Sequence, residues 1–324
     1  MTTIVGKTIA SGLIVMVAVL GGCSGSGVAV QQLAGGTVQT LATDHLSAVT
    51  LIRNWMNVLY FQVPQGGGPD VNMEDLPGGG MRFYGTQSDG STFDWVINPD
   101  ESGSGTQQFP GGLTKQSSWS APDWNGDELT QDLNEVYSNG ARLQYRFTAD
   151  YAQDPLPQEW RGQATEPGGR TMSFRLSRVQ ERSDQLQLTL PDGLQVTLTV
   201  PLTWTEGAAF WPRFATGATG QVAAAGRTPL NLRLTGSGDQ WNQWSFTSGN
   251  YSGQFSLGAD LIGQGRLEQG GQVVAALSWD AALAGNLSVV AGGSEEVGPS
   301  AAAASFQMDQ WVGSIAALGP APVY

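Results

Sequence analysis

The stretch DQLQLTLPDGLQVTLTV, Asp184–Val200, decides the fold class. Leu186, Leu188 and Leu190 alternate with polar residues, Pro191-Asp192-Gly193 reverses the chain, and Leu194, Val196, Leu198 and Val200 return. Alternation of period two places every leucine on one face of a strand. A three-residue loop ending in glycine predicts a type I turn closed by a G1 bulge. One apolar face opposite a Gln/Thr face predicts a sheet covered on one side.

The same period extends in both directions. MRFYGTQSDGSTFDWVI, residues 81–97, predicts a hairpin in which Met81 and Phe83 face Phe93, Trp95 and Ile97. Leu143, Tyr145 and Phe147 share one face of another strand, and short alternating runs continue from Leu230 to Val290. Frequent glycine turns between short strands point to a meander or sandwich rather than βαβ units. The fold class is therefore mainly β: a large antiparallel sheet with one N-terminal amphipathic helix and a second short helix. The first helix is expected from Asp44, as its N-cap, to about Phe61. Leu46, Val49, Ile52, Trp55, Met56 and Leu59 form its apolar stripe. The second is expected over Asp127–Tyr137, and residues 99–122, rich in Gly, Ser and Pro, read as a long loop.

The chain has 324 residues, 45 of them glycine, and 13% charged against 40% hydrophobic, which suits a folded β-protein with a polar uncharged surface. Fifteen basic residues against 28 acidic give a net charge of −13. A nucleic-acid partner needs clustered cations, so none is expected.

Residues 1–22 read as an export signal. Lys7 precedes an apolar run from Ile9 to Leu20, too short for the roughly 20 residues that span a bilayer. It ends in Leu20-Gly21-Gly22-Cys23, with Cys23 the only cysteine in the chain. This segment resembles the lipobox of bacterial lipoproteins. The resemblance implies cleavage before Cys23, acylation of its sulfur and new amine, and a membrane partner held through that anchor. Each buried methylene is worth about 0.8 kcal/mol, so two or three acyl chains give stable attachment. Ser24, standing where a retention signal would place Asp, implies the outer membrane in a host that has one, and otherwise the cell envelope generally. Residues 23–40 are expected as acylated cysteine and flexible tether, followed by a helix-plus-hairpin region (41–165) and an antiparallel region (166–324), two domains or one continuous sheet. Without a second cysteine the mature chain forms no internal disulfide.

Tyr251–Gly271, YSGQFSLGADLIGQGRLEQGG, resembles one MORN-type unit in Tyr251, Gly253, Phe255, Gly258, Gly263, Gly265 and Gly271. One residue is inserted before Gly263 and only one copy stands out, so it predicts a hairpin and not an array.

Chemistry is sparse. His45, the only histidine, is expected in the first turn of the helix with a structural or solvent-facing role. A single histidine and no mature thiol besides the acylated one argue against histidine-rich zinc sites and cysteine proteases. Asp123, Asn125 and Asp127 take positions one, three and five of a calcium loop. Glu128 then replaces the turning glycine and Asn134 the bidentate carboxylate, so an acidic helix-capping loop competes with calcium binding. No other cofactor is expected. Eleven tryptophans raise glycan stacking, with Trp119, Trp124, Trp241 and Trp244 as candidates. Asp123, Asp127, Glu128 and Glu159 are carboxylates that nothing in the sequence pairs across a cleft, so no catalytic residue is assigned. The expectation is a membrane-anchored envelope lipoprotein with a binding or structural role. Its alternatives are a lipid or lipoprotein carrier, with a helix against a curved sheet, and a glycan-binding or glycan-cleaving lipoprotein. Lipid, glycan and envelope protein are the corresponding partners.

Overall fold

A computed structural model describes residues 26–59, 70–87, 90–153, 158–180, 183–203, 213–214, 217–236, 242–258, 262–290 and 292–306. Helix α1 (Ser26–Leu59) leads into β1 (Asp70–Asp75), β2 (Met81–Thr86), β3 (Thr92–Ile97), β4 (Gly103–Gln108), β5 (Thr114–Trp119), β6 (Asp123–Asn125) and β7 (Glu128–Tyr137). Then come β8 (Arg142–Asp150), β9 (Gln158–Thr165), β10 (Thr171–Gln180), β11 (Ser183–Thr189), β12 (Gln195–Thr203), β13 (Arg213–Phe214) and β14 (Ala218–Ala223). The chain continues through β15 (Leu230–Thr235), β16 (Gln243–Ser248), β17 (Tyr251–Leu257), β18 (Gly263–Gln269), β19 (Gln272–Trp279), β20 (Gly285–Val289) and β21 (Ser294–Val297), and then α2 (Ala301–Ser305).

Every strand pair is antiparallel and successive strands are neighbours, apart from β6 and β13. Short β6 pairs with β7 beside β5, and short β13 pairs with β12 beside β14. The result is one open meander, the mainly β architecture that the alternation predicts. No break falls at residue 165, because β9 pairs with β10 from Thr165↔Thr171 to Glu159↔Ser177.

The hairpin over Asp184–Val200 forms, with Leu186 opposite Leu198 and Leu188 opposite Val196. Its turn has the expected geometry: the Gly193 N–H donates to the Leu190 carbonyl at 3.0 Å and the Leu190 N–H to the Leu194 carbonyl at 2.9 Å. The hairpin over Met81–Ile97 pairs Phe83 with Trp95, also as read. The one over Tyr251–Gly271 is β17 and β18, with Gly265 beneath Phe255.

A period that the sequence reading missed organises the first five strands. Their first residues, Asp70, Met81, Thr92, Gly103 and Thr114, are each eleven apart. The turn residues with positive φ keep step: Gly79, Gly90, Glu101 and Gly112. The five-residue turn bonding seen at Leu190 recurs at Leu76, Gln87, Asn98 and Phe109.

Three expectations are corrected. Residues 127–137 form no helix: Glu128–Tyr137 is β7, and the second helix is α2. The expected loop over residues 99–122 contains β4 and β5. Here Trp119 covers Gly103 and Trp95 covers Gly105, so neighbouring strands supply the apolar surface that β4 lacks. The expected tether is helical from Ser26 and enters the core at Val38, which is 1% exposed. Asp44 is therefore inside α1, not at its N-cap.

The first half of the expected stripe is buried, at Leu46, Val49 and Ile52, and the side chains of Trp55, Met56 and Leu59 lie outside the described residues. The polar side is buried as well. All residues from Leu41 to Ile52 are buried except the half-buried Thr43, the mark of a helix enclosed on every side. The sheet achieves this by curling, so that α1 touches β14 and β15 on one side and β20, β21 and α2 on another. Hydroxyls on the enclosed face turn inward on the helix, Ser47 Oγ donating to the Thr43 carbonyl and Thr50 Oγ1 to the Leu46 carbonyl, both at 2.8 Å. Ser47 Oγ also accepts the Ser300 N–H at 2.8 Å, and Arg170 Nη1 donates to the Ala301 carbonyl at 3.4 Å. The segment at α2 thus links α1 to the β9–β10 turn.

Candidate functional site

The enclosed helix carries His45 into the centre of the core. Its ring centroid lies 4.0 Å from that of Phe255, stacked, with Trp244 and Trp279 edge-on at centroid distances of 6.0 and 5.6 Å and Phe246 tilted at 5.8 Å. Strands β16, β17 and β19 supply this aromatic box. His45 is 0% exposed and neither ring nitrogen has a hydrogen-bond partner. Burial pushes the imidazole down from its ordinary 6.5 to about 3, so it is neutral at physiological pH. A general base needs a proton donor within reach. His45 has none, so the structural half of its expectation stands and the solvent-facing half does not. One residue earlier, both oxygens of Asp44 accept from Arg227 Nη1 at 2.9 Å, pinning α1 to the β14–β15 turn. Burial raises the Asp44 carboxyl, against the lowering influence of Arg227.

A carrier would hold its apolar ligand between helix and sheet. Side chains of α1 occupy that space: Leu46, Ala48, Leu51 and Ile52 are 0% exposed.

A second polar cluster lies on the same inner face, towards the N-terminal half of the sheet. Lys115 Nζ meets Glu135 Oε1 at 3.3 Å, and the Tyr137 hydroxyl donates to Glu135 Oε2 at 2.9 Å. Both charged side chains are below 10% exposed. Burial, reinforced by the Glu135 charge, raises the Tyr137 and Tyr145 hydroxyls well above their ordinary value. A fixed ion pair with its tyrosine donor is a structural polar core, and the sequence reading passed over all three residues.

A wide groove of about 1360 Å³ opens where β16–β21 end, lined by Asn242, Gln243, Ser256, Gln264, Asn286 and Glu296 among others. Its other carboxylate is committed to a turn: Asp280 Oδ1 accepts the Ala282 and Ala284 N–H groups at 2.9 and 3.0 Å. Leu257, Ile262, Trp279, Leu283 and Val297 line it too, so its walls mix apolar and hydrogen-bonding groups without a paired acid and base.

The residues singled out in the sequence are not brought together. Trp244 is 2% exposed in the His45 box, and Trp119 lies over Gly103 with its Nε1 donating to the Glu101 carbonyl at 3.0 Å. Trp124 is 53% exposed beside Tyr151, ring centroids 5.5 Å apart, and remains available for stacking. Trp241 and Cys23 lie outside the described residues. Asp123 and Asn125 sit in extended β6, and Asp127 in the tight turn to β7. A calcium loop curls its oxygens around the ion, whereas Asp123 and Asn125 lie two apart on an extended strand and Asp127 in the turn that follows. Among the described residues, no group of three or more His, Cys, Asp or Glu side chains is placed to hold a metal, and no helix is long and apolar enough to cross a membrane. Comparison with protein-family models, with curated proteins and with solved structures finds no match to this chain.

Proposed function

We propose that the chain is a lipid-anchored bacterial envelope protein whose body binds or scaffolds rather than catalyses. The observation that supports this most directly joins sequence to structure. Cys23, at the end of Leu20-Gly21-Gly22-Cys23, stands three residues before a helix that runs without interruption into the core. An anchor on Cys23 would be coupled to the body through α1, which Asp44–Arg227 and Ser47–Ser300 fix in place. At 1.5 Å per residue, the helical stretch from Ser26 to Val38 spans about 18 Å, enough to hold the β-body clear of lipid headgroups. The Ser24 position favours an outer membrane where one exists.

Intact-mass analysis of the protein from its native host tests the anchor. Acylated Cys23 at the mature N-terminus is expected, with precursor accumulating under globomycin and Cys23→Ser leaving the membrane fraction. A mature chain with an unmodified Cys23 thiol would refute it.

A further inference from the structure

Three arginines stand side by side on the outer face of β8, β9 and β10. Arg146 pairs directly with Arg161, and Arg161 with Arg175. Like charges placed directly opposite one another across strands destabilise a sheet, and this chain has only 15 basic residues to place. Two of the three are neutralised locally. Arg146 Nε and Nη2 donate to the two oxygens of Asp132 at 2.7 and 2.8 Å. Arg175 Nε and Nη2 donate to Glu159 Oε2 at 2.9 and 2.6 Å. Arg161, between them, is exposed and makes no ion pair or side-chain hydrogen bond with any described residue. One guanidinium fork is left facing solvent in an otherwise balanced row.

That fork borders a groove of about 590 Å³ that also takes in Ser118, Asn134, Gln144 and the Arg146–Asp132 pair, in which both Asp132 oxygens are already held by Arg146. Ser118, Asn134, Gln144 and Gln163 are consecutive cross-strand partners on β5, β7, β8 and β9, so they form a second row beside the arginines on the same face. The groove is the size of a small-ligand site and larger than a simple anion needs. Its chemistry has two parts: a guanidinium that suits a carboxylate or phosphate bidentately, and a neutral hydroxyl-and-amide row that suits sugar hydroxyls. A nucleic-acid strand would meet a single unneutralised cation on a chain of net charge −13, far short of the phosphate contacts such binding needs.

The geometry points to an acidic-saccharide site on the outer face of β5–β9, in which Arg161 holds the anionic group of a sugar unit and Ser118, Asn134 and Gln144 its hydroxyls. This gives the binding role a ligand class, and it is independent of the lipid anchor, which has its own test at Cys23.

Titration calorimetry of the full chain in detergent, at low and at physiological ionic strength, tests the site. The probes are hexagalacturonate, neutral maltohexaose and inorganic phosphate. Hexagalacturonate is expected to bind at least about tenfold more tightly than the other two, more weakly as salt rises. Arg161→Gln should lower its affinity about tenfold or more, and Arg161→Lys, keeping the charge without the fork, by less. Asn134→Ala should weaken binding and leave the salt dependence unchanged. Because Arg161→Gln removes a like-charge contact from an exposed position, its melting temperature should not fall, which separates lost binding from lost folding. Equal affinity for maltohexaose, equal affinity for phosphate, or an Arg161→Gln variant that binds hexagalacturonate as the parent does would each overturn the assignment.

Discussion

Replacing His45 by phenylalanine should stabilise the protein, and by an amount that depends on pH. The unfolded imidazole takes up a proton near pH 6.5, whereas the folded one resists until about pH 3. Between those values the unfolded state binds more protons, so stability rises with pH. The contribution of the neutral, buried ring is complete above the unfolded pKa and is lost as pH falls from 6.5 towards 3. At pH 5, 1.5 units below the unfolded value, the loss is about 2 kcal/mol at 1.36 kcal/mol per unit. The figure is insensitive to the folded pKa, since any value well below 5 gives the same result. Phenylalanine keeps the stack on Phe255 and has nothing to titrate. It also removes two nitrogens buried without partners, a burden of about 1–3 kcal/mol. The variant should therefore exceed the parent by about 1–3 kcal/mol at pH 8 and by about 3–5 kcal/mol at pH 5. Urea unfolding followed by tryptophan fluorescence at both pH values measures the gap. Shared carboxylates such as Asp94 and Asp132, held low by Arg82 and Arg146, cancel in the comparison. A gap that does not widen at pH 5, or an imidazole NMR signal titrating near its ordinary value in the folded protein, would refute the reasoning.

Backbone and polar-core predictions are equally direct. Glu101, φ 65°, holds the left-handed position that Gly79, Gly90 and Gly112 take in the eleven-residue series, so Glu101→Gly should gain about 1 kcal/mol and raise the melting temperature. Leu283, φ 62°, shares the strain but is 3% exposed; Leu283→Gly forfeits about 1.5–3 kcal/mol of burial and should melt lower. Lys115→Met strands Glu135 in the core and should cost about 3–5 kcal/mol in urea unfolding. Adding Glu135→Gln, which removes the stranded charge and keeps an acceptor for Tyr137, should recover more than half. A Cβ on Gly263 would overlap the Trp279 indole, so Gly263→Ala should cost about 1–3 kcal/mol and perturb the near-ultraviolet dichroism of the His45 box.

Alternation was legible wherever one face is purely apolar, as in Asp184–Val200, and it failed where the inner face turns polar. In β7 the inward residues are Leu129, Gln131, Leu133, Glu135 and Tyr137. Spacing of four keeps Leu129, Leu133 and Tyr137 on one side of a helix and of a strand alike. With Gln131 and Glu135 between them, the helical reading had no visible competitor. Composition misled at β4 because its glycines are covered by Trp95 and Trp119 from neighbouring strands, a relation that only register reveals. The eleven-residue period was hidden for a similar reason: only turn residues recur in it, Pro77, Pro99 and Pro110 with Ser88 out of step, and Gly79, Gly90 and Gly112 with Glu101 out of step. Gly35-Gly36 read as tether, yet α1 runs through them, since a helix with a buried segment ahead need not rely on local propensity. Nor is the Arg146, Arg161, Arg175 row visible in a sequence where the three are 15 and 14 residues apart.

The enclosed helix and the aromatic box bear on one difficulty of so long a meander. A single-layer sheet hides one face only if something covers it, and the strands here receive unequal cover. The inner faces of the strands around α1 are closed, with Leu186, Val196, Leu198, Leu234, Leu267 and Leu287 all at 0% exposure. At the other end of the sheet, β1 and β2 leave Val71, Met73 and Met81 exposed at 45%, 68% and 38%. Each fully buried aliphatic side chain contributes about 1.5–3 kcal/mol, so stability concentrates around α1 and thins towards β1. The free edge is guarded by charge instead, with Asp70, Glu74 and Asp75 on a six-residue strand. Such a gradient places the most rigid part of the body on the helix that leads to Cys23, and the proposed saccharide groove on β5–β9 between that core and the thinly covered edge. A lipid anchor on Cys23, as proposed, would then meet the molecule where it is hardest to unfold, while the polar face carrying Arg161 stays open to solvent.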